Sequence, residues 1–171
     1  MAAQRGPSAS CGRAKPLRNR GRPADKIIAS DFKMSAETIT YNGIKYAEVI
    51  RADARVDKTR FFSPPESSFQ FGLLAHKAGF VEPPHYHKPF PREVVDLQQM
   101  FVMQRGEIVI ELYSDDGDLL REINLRTGDA IVLIHGVHAV RVVEDFQAIS
   151  VKQGPFLGSE NDKINVEVKK K

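Results

Sequence analysis

The feature that most constrains this chain is the stretch from residue 98 to 154, QQMFVMQRGEIVIELYSDDGDLLREINLRTGDAIVLIHGVHAVRVVEDFQAISVKQG. Short apolar runs rich in Val, Ile and Leu alternate there with turn residues: Gly106, the Asp115-Asp116-Gly117 triplet, Gly128-Asp129 and Gly136. Strands that recur every 8 to 12 residues or so, with turn signals between them, build an antiparallel sandwich or barrel. The pattern predicts strand, glycine turn, strand, Asp-Asp-Gly turn, strand, and then at least three more short runs after Gly128.

The preceding part fits the same plan. TITYNGIKY alternates around Asn42-Gly43, a dipeptide that favours a hairpin with positive φ. SFQFGLLAHKAG alternates Phe69, Phe71, Leu73 and Ala75 against Gln70, Gly72, Leu74 and His76, which predicts a strand with the phenylalanines as its core face. A short helix is expected near PREVVDLQ, and no long stretch keeps a 3.6-residue period. The fold class expected is all-β.

At 171 residues the chain has room for one core rather than two. Its formal charge of +3 is unevenly spread: residues 1–33 hold eight Arg and Lys against two Asp, so the remainder is mildly acidic. That segment is rich in Gly, Ser, Pro and Ala without apolar periodicity, and is expected to be a disordered basic tail. Met34 opens a second start where globular composition begins, so an over-extended N-terminus is the first reading; a flexible basic arm and an organelle-targeting segment are the alternatives. The domain expected is 34–171, with its core at 69–155. The arm lacks interleaved aromatics and the body is acidic, which argues against nucleic acid as a partner. No apolar run reaches the roughly 18 to 20 residues that span a bilayer, so no membrane partner is expected. The lone Cys11 gives no disulfide, and a cytoplasmic location is expected.

All five histidines, His76, His85, His87, His135 and His138, fall within a window of the β pattern. In PPHYHKP, His85 and His87 are one residue apart. On a strand they would share a face, about 6 to 7 Å apart, with Tyr86 turned away. H-x-H alone is more often a pair of surface histidines, but this clustering points to a divalent metal, because imidazole suits Fe, Mn, Ni and Zn.

GFVEPPHYH, then QQMFVMQRG, then GDAIVLIHGVH resembles the two-motif signature of the cupin superfamily: G-x5-H-x-H, an acidic residue followed by x6-G, and later a G-D pair, a further glycine and a histidine close behind it. The likeness covers roughly residues 69–155. It implies a double-stranded β-helix, the cupin jelly roll of small bacterial single-domain members, whose ending KQGPFLG and NDKI are also similar. It further implies that Gly79 opens the first motif, that His85 and His87 are ligands, that Gly106 closes that motif, and that His138 is the ligand of the second, with Gly128, Asp129 and Gly136 as turn residues. Two departures stand out. Gln99 occupies the position where the family most often has a glutamate, and His135 lies where a proline is usual. Glu93, in a longer loop than the common motif, is the alternative fourth ligand. Alternation favours Gln99, which shares a face with Phe101 and Met103. A neutral amide leaves a more positive, weaker site than a carboxylate would.

The resemblance implies a metal-dependent enzyme of dioxygenase or isomerase/epimerase type acting on a polar, oxygen-rich small molecule. The alternative is a non-catalytic module for a sugar-like or anionic ligand, linked to surface-polysaccharide metabolism. His76, Arg92 and His135 are the candidate catalytic residues. Each has a plainer reading, as an exposed ring, a solvated loop cation and a supporting ring respectively. A homodimer is implied by the resemblance alone.

Overall fold

The structure is a computed structural model that describes residues 36–169; the basic segment 1–33, Met34 and the last two lysines lie outside the described residues. Ala36–Tyr41 (β1) and Ile44–Ile50 (β2) form the expected hairpin, with Asn42 at φ 50° and Gly43 at φ 78°. Positive φ at both turn residues matches the turn twist to the strand twist, which is why Asn-Gly serves here.

Two long strands organise the rest: Gln99–Tyr113 (β5) and Val137–Lys152 (β8), antiparallel along their whole length. The other edge of β5 is shared by Ala130–Leu133 (β7), which pairs with its first half, and Leu119–Arg126 (β6), which pairs with its second half. β2 joins β7 on the far side, and a separate two-stranded pair, Arg60–Phe61 (β3) with Gly72–Leu73 (β4), lies outside this sheet. The sequence pattern predicts a turn at Gly106 and several short strands after Gly128. Instead β5 passes through Gly106 at a bulge, with register shifts between Met103 and Ile108, and β8 is one long strand. Gly106 adopts φ 78°, and a Cβ there would stand 2.2 Å from the Asp145 carbonyl oxygen, so only glycine lets the two strands cross so closely.

The bulges curl the sheet into a half-barrel. Its inner face carries the main core: Ile39, Ala47 and Val49 from β1 and β2, Ile131 and Leu133 from β7, Met103, Ile108, Ile110 and Leu112 from β5, and Ile123 and Leu125 from β6. Each such side chain contributes roughly 1.5–3 kcal/mol through burial. Glu37 on β1 bonds both Arg51, just past β2, and Arg121 on β6, at 2.9 and 3.0 Å, which ties the two ends of the curl together. On the outer face Ile50, Phe71 and Val132 form a second core beneath residues 54–73. Glu48 is buried on that side, where the Ser63 hydroxyl donates to it at 3.1 Å and Lys45 also bonds it. Asp129 fixes the turn before β7 by accepting from the backbone N–H of Ala52 and Arg126 and from the Arg51 guanidinium.

Residues 74–98 depart from expectation. The strand predicted at 69–76 shrinks to β4, with Phe71 buried and Phe69 and Leu73 half-buried, as the phenylalanine-face reading required. No helix forms near PREVVDLQ, and 74–98 contains no strand, so His85 and His87 do not stand on a β-ladder. The reason is local: Pro83, Pro84, Pro89 and Pro91 each remove a backbone donor, and proline is confined to sheet edges and bulges. A four-residue helix, Ser159–Asp162 (α1), follows β8, and Lys169 pairs with Asp118 at 2.8 Å on the surface.

Candidate metal centre

β8 begins just after His135, and its second residue is His138. Paired with Leu112, His138 projects from the inner face of the curl. Desolvation is the chief cause of a lowered His138 pKa, with the Lys163 charge adding to it and a backbone hydrogen bond at Gly136 opposing it. His138 is nonetheless exposed to solvent; the shift favours the neutral imidazole, the form that binds metals.

Gln99 opens β5 opposite both Leu133 and Lys152, on the same inner face as Phe101 and Met103. Its amide nitrogen donates to the Ser150 hydroxyl at 3.0 Å, and among the described residues its amide oxygen has no protein partner. Gln99 and His138 sit at opposite ends of the β5–β8 ladder, yet the curl brings those ends together. The demonstration is His135: its Nδ1 lies 3.0 Å from Asp96, three residues before Gln99, and its Nε2 lies 3.5 Å from Asp115, two residues past the end of β5. Its ring stands edge-on to Tyr46, at a centroid distance of 5.2 Å. The hydrogen bond to Asp96 is the main cause that raises the His135 pKa, with desolvation opposing it and Asp115 adding to the rise.

His85 and His87 lie in the exposed segment, with their ring centroids 5.4 Å apart and nearly perpendicular. His85 Nδ1 lies 2.9 Å from the Pro83 carbonyl oxygen. A carbonyl only accepts, so Nδ1 carries a proton, and Nε2 lies 3.8 Å from the Glu82 carboxylate. Glu93 is exposed. Arg92 is exposed too, with Nη1 donating to the Phe90 carbonyl at 3.2 Å and its guanidinium 5.9 Å from that ring. His76 stacks on Phe80 at 4.0 Å and lies 3.3 Å from the Thr59 hydroxyl, away from the other histidines named here.

Among the described residues no group of three or more His, Cys, Asp or Glu side chains stands close enough to hold a metal. The structure thus places His138 and Gln99 on the inner face, at the two ladder ends that His135 links, and leaves His85 and His87 on an unpaired segment. The Asp96–His135–Asp115 bridge was not legible in sequence, because its members lie 39 and 20 residues apart along the chain and meet only through the curl. No protein-family model, curated protein or solved structure matches the chain. No helix among the described residues is long and apolar enough to cross a membrane.

Proposed function

We propose that the chain is a metal-binding cupin-like enzyme whose barrel closes when residues 80–90 add to the free edge of β8, which completes a double-stranded β-helix and carries His85 and His87 towards His138. The observation that carries this reading is the inner-face placement of Gln99 and His138, at the two ladder ends that His135 links, beside a β8 edge that has no partner strand among the described residues. The donor chemistry fits a divalent ion. The His138 pKa is lowered, which favours the neutral ligand form, His85 and His87 bring two further imidazoles, and the Gln99 amide oxygen has no partner among the described residues. Such a set, three imidazoles and one amide, suits Fe, Mn, Ni or Zn and leaves positions open.

When bound, the ion would supply Lewis acidity or a site for dioxygen chemistry on a small, oxygen-rich substrate. The chain's own residues would do the remainder. The inner-face apolar side chains would exclude water, and His135, hydrogen-bonded to Asp96 and beside Asp115, would hold the two ends of the β5–β8 ladder together and offer a ring N–H as a proton donor. Pairing of two copies through their sheets would give a homodimer.

A second reading is favoured by the missing carboxylate and by the separation of His85 and His87 from the curl: a non-catalytic module binding a sugar-like or anionic ligand. Elemental analysis of untagged protein from metal-replete cells separates the two. Near-stoichiometric Fe, Mn, Ni or Zn, lost in the His85→Ala/His138→Ala double variant, supports the enzyme; metal-free wild-type protein sinks it.

A further inference from the structure

On the face of the sheet opposite His138 and Gln99 there is a cavity of about 570 Å³ between the β5 backbone and residues 51–74. Met100 and Val102 form its floor, since they alternate with Gln99 and Phe101 and so point outward. Ala54, Phe71 and Leu73 form its walls, and Phe61 and Leu74, both at least half exposed, stand at the rim. The volume falls in the range of small-molecule sites, and the lining is chiefly apolar.

Its cations differ in one respect. Arg51 is consumed by Glu37, Asp129 and the Asn124 carbonyl. Arg55 gives only Nη1 to the protein, to the Ala52 and Ala54 carbonyls at 3.0 and 2.7 Å. Among the described residues no carboxylate pairs with it, so its Nε–Nη2 edge is free. That edge is the fork that matches a carboxylate through two parallel hydrogen bonds. The other polar side chain in the lining, Gln70, has its amide nitrogen occupied by the Pro64, Pro65 and Ser67 carbonyls.

We infer that this outer cavity binds a soluble monocarboxylate with an apolar body of about ten carbons, the body lying on Met100, Val102 and Phe71 and the carboxylate held by Arg55. The inference is independent of the metal centre, which lies on the other face.

The probe is sodium decanoate below its micellar range, titrated into the full chain with its Met, Leu and Val methyls labelled for NMR. The expected result is saturable one-to-one binding, with shifts at the Met100, Val102 and Leu73 methyls. Decanol should bind roughly tenfold more weakly than decanoate, and Arg55→Glu should weaken decanoate by about the same factor while leaving decanol unchanged. Arg55 is exposed and outside the core, so that variant folds. Lack of saturable binding overturns the inference, as do shifts confined to the exposed valines of β8 and decanoate affinity unaffected by Arg55→Glu.

Discussion

At the scale of single residues, two glycines separate backbone strain from packing. Gly79 and Gly106 both have positive φ, at 87° and 78°. A Cβ on Gly79 would meet nothing within 4 Å, whereas one on Gly106 would meet the backbone of Asp145 and Phe146 at 2.2–2.8 Å. Gly79→Ala should therefore cost about 1 kcal/mol, from strain alone. Gly106→Ala should cost about 3 kcal/mol or more, because the β5–β8 crossing must open. Urea unfolding midpoints of both variants check this, and equal losses would contradict it. A second residue-scale test concerns Ser63, whose hydroxyl donates to buried Glu48 and accepts from the Phe71 N–H at 2.9 Å. Ser63→Ala leaves both groups short of a partner in the interior and should cost about 2 kcal/mol. The sequence marked Gly106 as a turn residue, where the strand instead bulges, and marked Gly79 only through the motif it opens. The Ser63–Glu48 bond was not, since nothing in the local pattern marks which carboxylate is buried.

At the scale of elements, the sequence was most readable where local preference and packing agree. Asn42-Gly43 specified the β1–β2 hairpin, and Ile, Val and Leu alternation specified β5 to β7. It was least readable where tertiary pairing decides: the turn signal at Gly106 marks a bulge rather than a chain reversal, because β8 pairs straight across it. The proline-bearing segment 74–98 likewise has apolar residues at strand spacing but lacks donors for a ladder. Its C-terminal end is held by the Asp96–His135 bond and by the Gln98 N–H, which donates to the Gln153 side chain at 2.7 Å. His135 has a pKa raised above its ordinary 6.5, chiefly by the Asp96 hydrogen bond. Stabilisation by a histidine of that kind is fully present below the unfolded-state pKa and is lost as pH rises through the folded-state value. Both aspartates are more than half exposed, so the contribution is about 1 kcal/mol or less. Amide exchange and proteolysis in 88–98 should accelerate in the wild type as pH rises above the ordinary histidine value and through the raised folded-state one, beyond the intrinsic pH effect. In His135→Leu that excess should vanish; if it persists, another group holds the segment.

At the scale of the whole molecule, the half-barrel leaves an imbalance that its own residues can remove. β8 is exposed along nearly all of its length and, among the described residues, unpaired on one edge, an arrangement that proteins ordinarily cover. Val140 and Val142 lie opposite Ile110 and Ile108 and so face the core side, yet they are 43% and 54% exposed. The segment that precedes β5 exposes Leu74, Phe80, Val81, Phe90 and Val95. If residues 80–90 close over β8, both sets are buried together and the inner face becomes continuous. Val142→Asp distinguishes the two states. In an open half-barrel it is a surface change and costs within about 0.5 kcal/mol, as Ile164→Asp should, since Ile164 is 91% exposed. Beneath a closing strand it buries an unpaired carboxylate, and the cost rises to about 3 kcal/mol or more. We expect the larger cost, and we expect added metal to widen it, since an ion shared by His85, His87 and His138 stabilises only the closed form. Measuring the same difference across protein concentration tells closure within one chain, which is independent of concentration, from exchange of the segment between two copies, which is not.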